Sequence, residues 1–272
     1  MNISIRDLSF TYPGGVDALH DISLEFRPGE CVAVIGRNGS GKTTLAKHLN
    51  GLLRPTRGDV LVGDWNTRSH TVAQLARRVG YLFQNPGDQI FKNRVDGEVA
   101  FGPRSLGLPA ADVTLRVELA LAQTGLAEFR AVHPYELLPA QRKWVALASL
   151  LAMDPAVLVL DEPTAGQDAR GLERLAALLA ALTRGGKTVV MIAHDMDFCA
   201  ETSPRVVVMG QGRVLADGDK HSIFAQIELL AQTFVEPPQI TRLGLALALP
   251  KPVTTVPEFL DELSGRDAQT KS

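Results

Sequence analysis

Residues 36–44 read Gly36-Arg37-Asn38-Gly39-Ser40-Gly41-Lys42-Thr43-Thr44, a composition and spacing suited to holding phosphate. Gly36, Gly39 and Gly41 carry no Cβ, so the backbone there can take positive φ and turn successive N–H groups, those of Arg37, Asn38 and Ser40 included, toward a polyphosphate. Lys42 would reach the β- and γ-phosphates, Thr43 would offer its hydroxyl to Mg²⁺, and Thr44 completes the loop. A second chemical pair, Asp161-Glu162, follows a run of apolar residues. Asp161 is placed to order Mg²⁺ through water, and Glu162 to polarise an attacking water as a general base. His194 closes another apolar run, where an imidazole could touch a terminal phosphate or that water, although a histidine at a strand end is often purely structural. The chemistry implied is hydrolysis of a nucleoside triphosphate with Mg²⁺.

These groups must be delivered by particular elements. The apolar stretch Cys31–Ile35 predicts a buried strand leading into the loop, and a helix starting near Lys42 would aim the positive end of its dipole at the same anion. A glycine-rich turn without ligand is the competing reading, and the strand before and helix after weigh against it. Upstream, alternating apolar residues over 3–26, broken by Pro13-Gly14-Gly15, predict an antiparallel pair of strands with Tyr12 at the turn. Tyr12 could stack on an adenine ring or simply pack. Further strands are expected over 58–63 and 79–83, the latter ending at Gln84. Residues 85–107 are rich in turn formers and read as a mobile connection, followed by helices over 111–123 and 139–153. Residues 156–160 are continuously apolar, as in a parallel strand buried on both faces, which puts Asp161 and Glu162 at its carboxyl end. Helix 169–183, strand 187–193, helix 196–201 and strand 205–209 then alternate in the pattern of right-handed crossovers, and ligands bind such sheets at the carboxyl ends of the strands. After Gly218 two short helical segments separated by proline-containing runs are expected, with residues 226–272 forming a small appended module that ends in a frayed tail.

With 272 residues, 45% hydrophobic and 21% charged, the chain can bury a sizeable core, and a net charge of -2 gives no bulk attraction to nucleic acid or anionic lipid. The start, MNISIRDLSF, lacks the basic and apolar regions of a signal peptide, so a cytoplasmic location is expected. The longest apolar runs fall short of the ~18 residues of a membrane span, so any membrane role would go through partners. Cys31 and Cys199 read as buried thiols, and no zinc-binding spacing is present.

Six segments in order resemble the conserved elements of ABC-transporter ATPase subunits: Tyr12 in FTYPGG, the loop 36–44, Gln84 in YLFQNP, LLPAQRKWVALAS, VLVLDEPTAGQD, and IAHD. Within that superfamily FQNPGDQIF, EVAFGPRSLGL, HPYEL and EPPQITRL are similar to the ATPases of energy-coupling-factor importers, which take up vitamins and transition-metal ions. The resemblance implies an α/β fold. It would comprise a P-loop NTPase core with a mixed or parallel sheet and an N-terminal antiparallel β subdomain, a helical subdomain inserted at about 86–153, and a C-terminal module. Residues 1–225 would bind ATP and 226–272 would help two ATPase subunits pair. The resemblance further implies that Tyr12 stacks on adenine, that Gln84 senses Mg²⁺ and moves a coupling groove, and that Glu162, Gln84 and His194 serve hydrolysis. The expected partners are a second ATPase subunit, an integral membrane coupling subunit and a substrate-capture membrane subunit at the cytoplasmic face, with no nucleic acid. A chromosome or DNA-repair ATPase of the superfamily would need a long coiled-coil insert or zinc-binding cysteine pairs, and neither is present.

One departure from the family pattern stands out. Where the family has L-S-G-G-Q, this chain has Leu137-Leu138-Pro139-Ala140-Gln141, and its D-loop reads Ala165-Gly166-Gln167-Asp168 with glutamine where leucine is usual. In the family this loop faces the partner's nucleotide. Leu138 lacks a hydroxyl, Pro139 lacks an N–H, and Ala140 adds a Cβ where backbone comes close. The expectation is an ATPase that works as one half of a heterodimer, with an ATP-binding clamp of negligible own hydrolysis as the rival reading.

Overall fold

The computed structural model describes residues 1–270, with side chains to residue 264. The chain opens with β1 (Ile3–Thr11) and β2 (Asp17–Phe26), an antiparallel pair. Next come β3 (Cys31–Ile35), α1 (Lys42–Leu49), β4 (Arg57–Val62), the short β5 (Trp65–Asn66), α2 (Val72–Leu75) and β6 (Val79–Leu82). A helical block, α3 (Val95–Ser105), α4 (Ala110–Thr124) and α5 (Pro139–Met153), separates β6 from β7 (Val157–Asp161), although the two strands pair in parallel. The alternation resumes with α6 (Ala169–Arg184), β8 (Thr188–Ile192), α7 (Met196–Thr202), β9 (Arg205–Gly210) and β10 (Arg213–Asp219). The chain then continues through α8 (Lys220–Phe224), α9 (Ile227–Gln232), α10 (Gln239–Ala246) and α11 (Val256–Thr270).

Two sheets result. One is antiparallel, in the order β2-β1-β4-β5; the other has the order β10-β9-β3-β8-β7-β6 and is parallel except for its edge strand β10. Side-chain alternation explains how the larger sheet is covered on both faces. Cys31, Ala33 and Ile35 of β3, with Leu158 and Leu160 of β7, join the core beneath the helical block and α6. Val32 and Val34, with Val157 and Val159, join a second core shared with α1 and the antiparallel sheet. The strand β3, buried at every position, therefore holds the loop that follows it rigidly between two packed layers.

Three expectations are corrected. Residues 85–107 are not merely a connection: α3 forms there despite Gly97, Gly102 and Pro103, all poor helix residues. Tertiary contacts override propensity. The carboxylate of Glu98 accepts from the backbone N–H groups of Phe91 and Lys92 at 3.0 and 2.8 Å, fixing the entry to the helix. Gly102 lies so close to α5 that a Cβ there would be 2.4 Å from Met153 Cγ. The edge strand β10 was not foreseen; it returns through Gln211 and Gly212, both with positive φ, as a tight hairpin turn requires. Finally, α8 to α11 stand where two short helical segments were expected, since each carries only a few core-facing residues and the periodicity is weak.

The C-terminal segment starts by packing on the main body: Leu230 and Val235 belong to the same core as Phe224. Farther on, Gly244 lies against Val253, and Glu258 of α11 accepts from the Thr254 N–H at 2.7 Å while pairing with Lys220 and His221 of α8. The frayed end expected for the tail falls at residues 271–272, outside the described residues.

Candidate active site

At the carboxyl end of β3 the loop 36–44 folds over the start of α1. Gly36 has φ 145° and is pressed on the neighbouring strand, a Cβ there being only 2.1 Å from the Met209 carbonyl oxygen. Gly41, φ 99°, sits on the Ala18 carbonyl and forms the N-cap of α1 without any side-chain cap. Gly39, φ 80°, has nothing within 4 Å of its Cβ position and borders open space. Two glycines thus permit close packing and one shapes the rim, while the uncapped N–H groups of the first turn of α1 remain as donors for an anion.

That space is a cavity of about 500 Å³. Asn38, Gly39, Gly41, Lys42, Thr43 and Thr44 line one side; Gln84, Asp161, Glu162 and His194 line another; Tyr12 stands at its edge. Residues brought by five separate segments of sequence therefore converge on one volume. Two larger cavities, of about 710 and 950 Å³, lie elsewhere, the first at the opposite ends of β3 and β9 and the second against α10 and α11. Neither contains a glycine-rich loop facing paired carboxylates, so chemistry rather than size selects the site.

Lys42 is buried and curls back, donating from Nζ to the Gly36 and Arg37 carbonyl oxygens at 2.7 and 2.9 Å. Burial pushes its pKa down, opposed by the charges of Glu162 and Asp161. Asp161, the last residue of β7, is 2% exposed; its Oδ2 accepts from the Tyr81 hydroxyl at 2.9 Å, while its Oδ1 has no partner. An orphaned, buried carboxylate oxygen at the edge of a cavity that also contains the Thr43 hydroxyl is what a water-coordinated Mg²⁺ requires, so the residues present fit that ion. Ser40 Oγ is a second buried oxygen left without a partner. Glu162 has φ 53°, a left-handed conformation uncommon outside glycine, anchored by its N–H to the Ile192 carbonyl at 2.9 Å. Its carboxylate meets His194 Nε2 at 3.0 Å. Burial and the adjacent Asp161 raise the Glu162 pKa to about 6, against the pull of Lys42 and Lys143. Burial and the positive charge of Lys42 lower the His194 pKa, so the imidazole is neutral at pH 7 and donates its Nε2–H to Glu162.

The structure sorts the expected residues. Tyr12 donates to or accepts from Thr44 Oγ1 at 3.0 Å and packs edge-on against Phe10, half-exposed above the cavity. Arg37 contributes its carbonyl, and its guanidinium instead lies 5.3 Å from the Phe234 ring. Among the described residues that line the cavity, none comes from 137–141: this chain's own signature-like loop is at the start of α5, with Leu138 68% exposed. Sequence reasoning missed Tyr81 and Lys143. A hydroxyl in the middle of the apolar strand β6 was the available signal for the first. For Lys143, whose Nζ donates to the Glu162 carbonyl oxygen, only a lysine on the apolar side of a helix hinted at a role.

The model of the family described as "ABC transporter" matches residues 19–165. The cobalt import ATP-binding protein CbiO of Rhodobacter capsulatus is 41% identical over 98% of this chain and 97% of its own length. The chain belongs to the ABC transporter family. It is an ABC-type ATPase. The energy-coupling factor transporter ATP-binding protein EcfA of Methanoculleus marisnigri is 44% identical, covering 89% of this chain and 87% of that one. Among solved structures, cbiO1 from Clostridium perfringens, described as part of the ABC transporter complex cbiONQ, superposes with a TM-score of 0.76 at 32% identity, covering 90% of this chain and 98% of that one. The ABC ATPase fold, including the expected resemblance to the energy-coupling-factor type, is thereby established for this chain.

Proposed function

We propose that this ABC ATPase energises an energy-coupling-factor-type importer of a vitamin or transition-metal ion, hydrolysing MgATP as one half of a heterodimeric ATPase pair. The observation that carries the reading is an asymmetry within one chain: a complete set of hydrolytic groups in its own cavity, beside an altered loop outside it. Lys42 and the N–H groups of the loop 36–44 hold the phosphates, and Tyr12 stacks on the adenine. Thr43 and Asp161, with Gln84 nearby, hold Mg²⁺, which when bound would offset charge on the phosphates. Glu162 takes a proton from the attacking water, and His194 orients the carboxylate through its Nε2–H. For Lys42 to serve phosphate its ammonium must leave the Gly36 and Arg37 carbonyls, an exchange of two neutral acceptors for charged ones that favours binding.

The likeness to a subunit of a cbiONQ complex and to EcfA supports the assignment of partners: a second ATPase subunit with an intact signature loop, a membrane coupling subunit and a substrate-capture membrane subunit. No helix among the described residues is long and apolar enough to cross a membrane, so attachment to its cytoplasmic face runs through those partners. Residues 1–225 form the ATP-binding domain in this reading, and the segment from 226 supports pairing.

The altered loop favours a heterodimer. In a homodimer each nucleotide would face Leu138-Pro139-Ala140, which lacks a hydroxyl and a backbone donor. Each lost hydrogen bond to a charged group is worth ~1.5–3 kcal/mol, so two together slow a closure-dependent step by roughly a hundredfold or more. The chain alone should therefore turn over slowly, and adding a partner with an intact loop should raise the rate. The triple change Leu138→Ser, Pro139→Gly, Ala140→Gly should raise the rate of the chain alone. Equal rates for the chain alone and the pair, or no gain from restoring the loop in a folded, ATP-binding protein, would refute the heterodimer. The clamp reading predicts instead that Glu162→Gln leaves turnover of the pair unchanged.

A further inference from the structure

The glutamine that replaces the usual leucine in the D-loop has a specific role in the tertiary structure. Gln167 Oε1 accepts from the Trp144 indole Nε1–H at 2.9 Å, and Gln167 Nε2 donates to the Ala140 carbonyl at 3.3 Å. One side chain thus joins the turn after β7 to two residues on the first turns of α5. Space for it exists because Gly171 has no Cβ; one there would sit 2.6 Å from Gln167 Oε1. Trp144 is 6% exposed, so its N–H needs a protein acceptor. Immediately before Trp144, Lys143, itself 5% exposed, donates to the Glu162 carbonyl and makes a second tie between the same helix and the same turn. The start of α5 and the segment 162–167 are therefore tied together by two side chains.

We propose that Gln167 is a positioning residue through which contact made by Leu138-Pro139-Ala140 with a paired subunit is carried to Glu162. This rests on the heterodimer reading. Leu138 is exposed and projects from the helix start, while Glu162 lies in the chain's own cavity; Gln167 is the side chain that hydrogen-bonds the helix start from the turn that carries Glu162. Leucine at 167 would leave the Trp144 N–H buried without its acceptor and, of the two side-chain ties among the described residues, keep that of Lys143.

The test uses two readouts in the full-length chain. The sequence has two tryptophans, so a Trp65→Phe background isolates Trp144 emission. There, Gln167→Leu should shift Trp144 emission and increase its quenching by iodide. In the assembled pair, Gln167→Leu should lower kcat by about tenfold, the equivalent of losing one to two hydrogen bonds, with KM for ATP unchanged because residues 137–141 do not line the cavity. Gln167→Glu keeps an acceptor for the indole and should restore the emission and part of kcat. Unchanged emission in the Leu variant, shifted emission with wild-type kcat, or no recovery in the Glu variant would each overturn the proposal. If the wild-type pair is no faster than the chain alone, the heterodimer reading fails by itself, while the emission measurements on the isolated chain still decide whether Gln167 ties the turn to α5.

Discussion

Glu162→Gln should make the nucleotide-free chain more stable while abolishing its turnover, and the size of both effects follows from where the carboxylate lies. Its side chain is 11% exposed, beside Asp161, and its pKa is raised from 4.5 to about 6. The sign is that of a carboxylate whose neutral form the fold prefers. Stability associated with it is fully present below pH 4.5 and is lost as pH rises through about 6. A shift of about 1.5 units corresponds to about 2 kcal/mol, of which about 1 kcal/mol falls between pH 5 and pH 8. Glutamine imitates the neutral acid: it cannot be deprotonated, removes the repulsion with Asp161, and still offers an oxygen to His194 Nε2–H. Its loss of attraction to Lys42 and Lys143 is already included, since those charges oppose the net upward shift. Urea unfolding of wild type and variant at pH 5 and pH 8 should show the variant gaining about 1 kcal/mol relative to wild type across that interval. Turnover of the pair with saturating MgATP should fall by about a hundredfold or more, the usual loss for a general base, with nucleotide binding retained. A stability difference that does not change with pH, or a variant that loses stability relative to wild type on going to pH 8, would refute the account of the carboxylate's environment. Undiminished turnover would refute its role as base.

The remaining predictions concern binding and pairing. Lys42→Ala removes a charge-assisted contact and should weaken ATP binding roughly 10- to 100-fold in equilibrium titration, where Glu162→Gln does not. Ending the chain after Ala225 would remove Leu230 and Val235 from the core and should cost about 3 kcal/mol or more in urea unfolding. Ending it after Glu236 keeps both residues and should leave ATP binding intact while weakening nucleotide-free pairing, measured by light scattering; equal association of truncated and full-length chains would assign the C-terminal helices another job.

The separation between what sequence and tertiary structure decide is visible in particular residues. The loop 36–44 and Asp161-Glu162 were legible because phosphate chemistry demands fixed spacings over short stretches, and the strands that end at them are continuously apolar. Helix α5 was placed to the residue because Pro139 marks its first turn and its long apolar run ends at Met153, just before Asp154-Pro155. The helix α3 was not, since its glycines and proline argue locally against a helix and only Met153 and the Glu98 contacts, set by packing, reverse that. Strand β10 depends on an antiparallel partner that exists only once β9 is in place. In the site, residue types gave the chemistry, but the convergence of Gln84, Asp161, Glu162 and His194 on one cavity required the parallel order of β6, β7 and β8. The raised Glu162 pKa, the orphaned Asp161 Oδ1 and the Gln167 tie to α5 are products of burial and distance between segments far apart in sequence, quantities that no local pattern encodes.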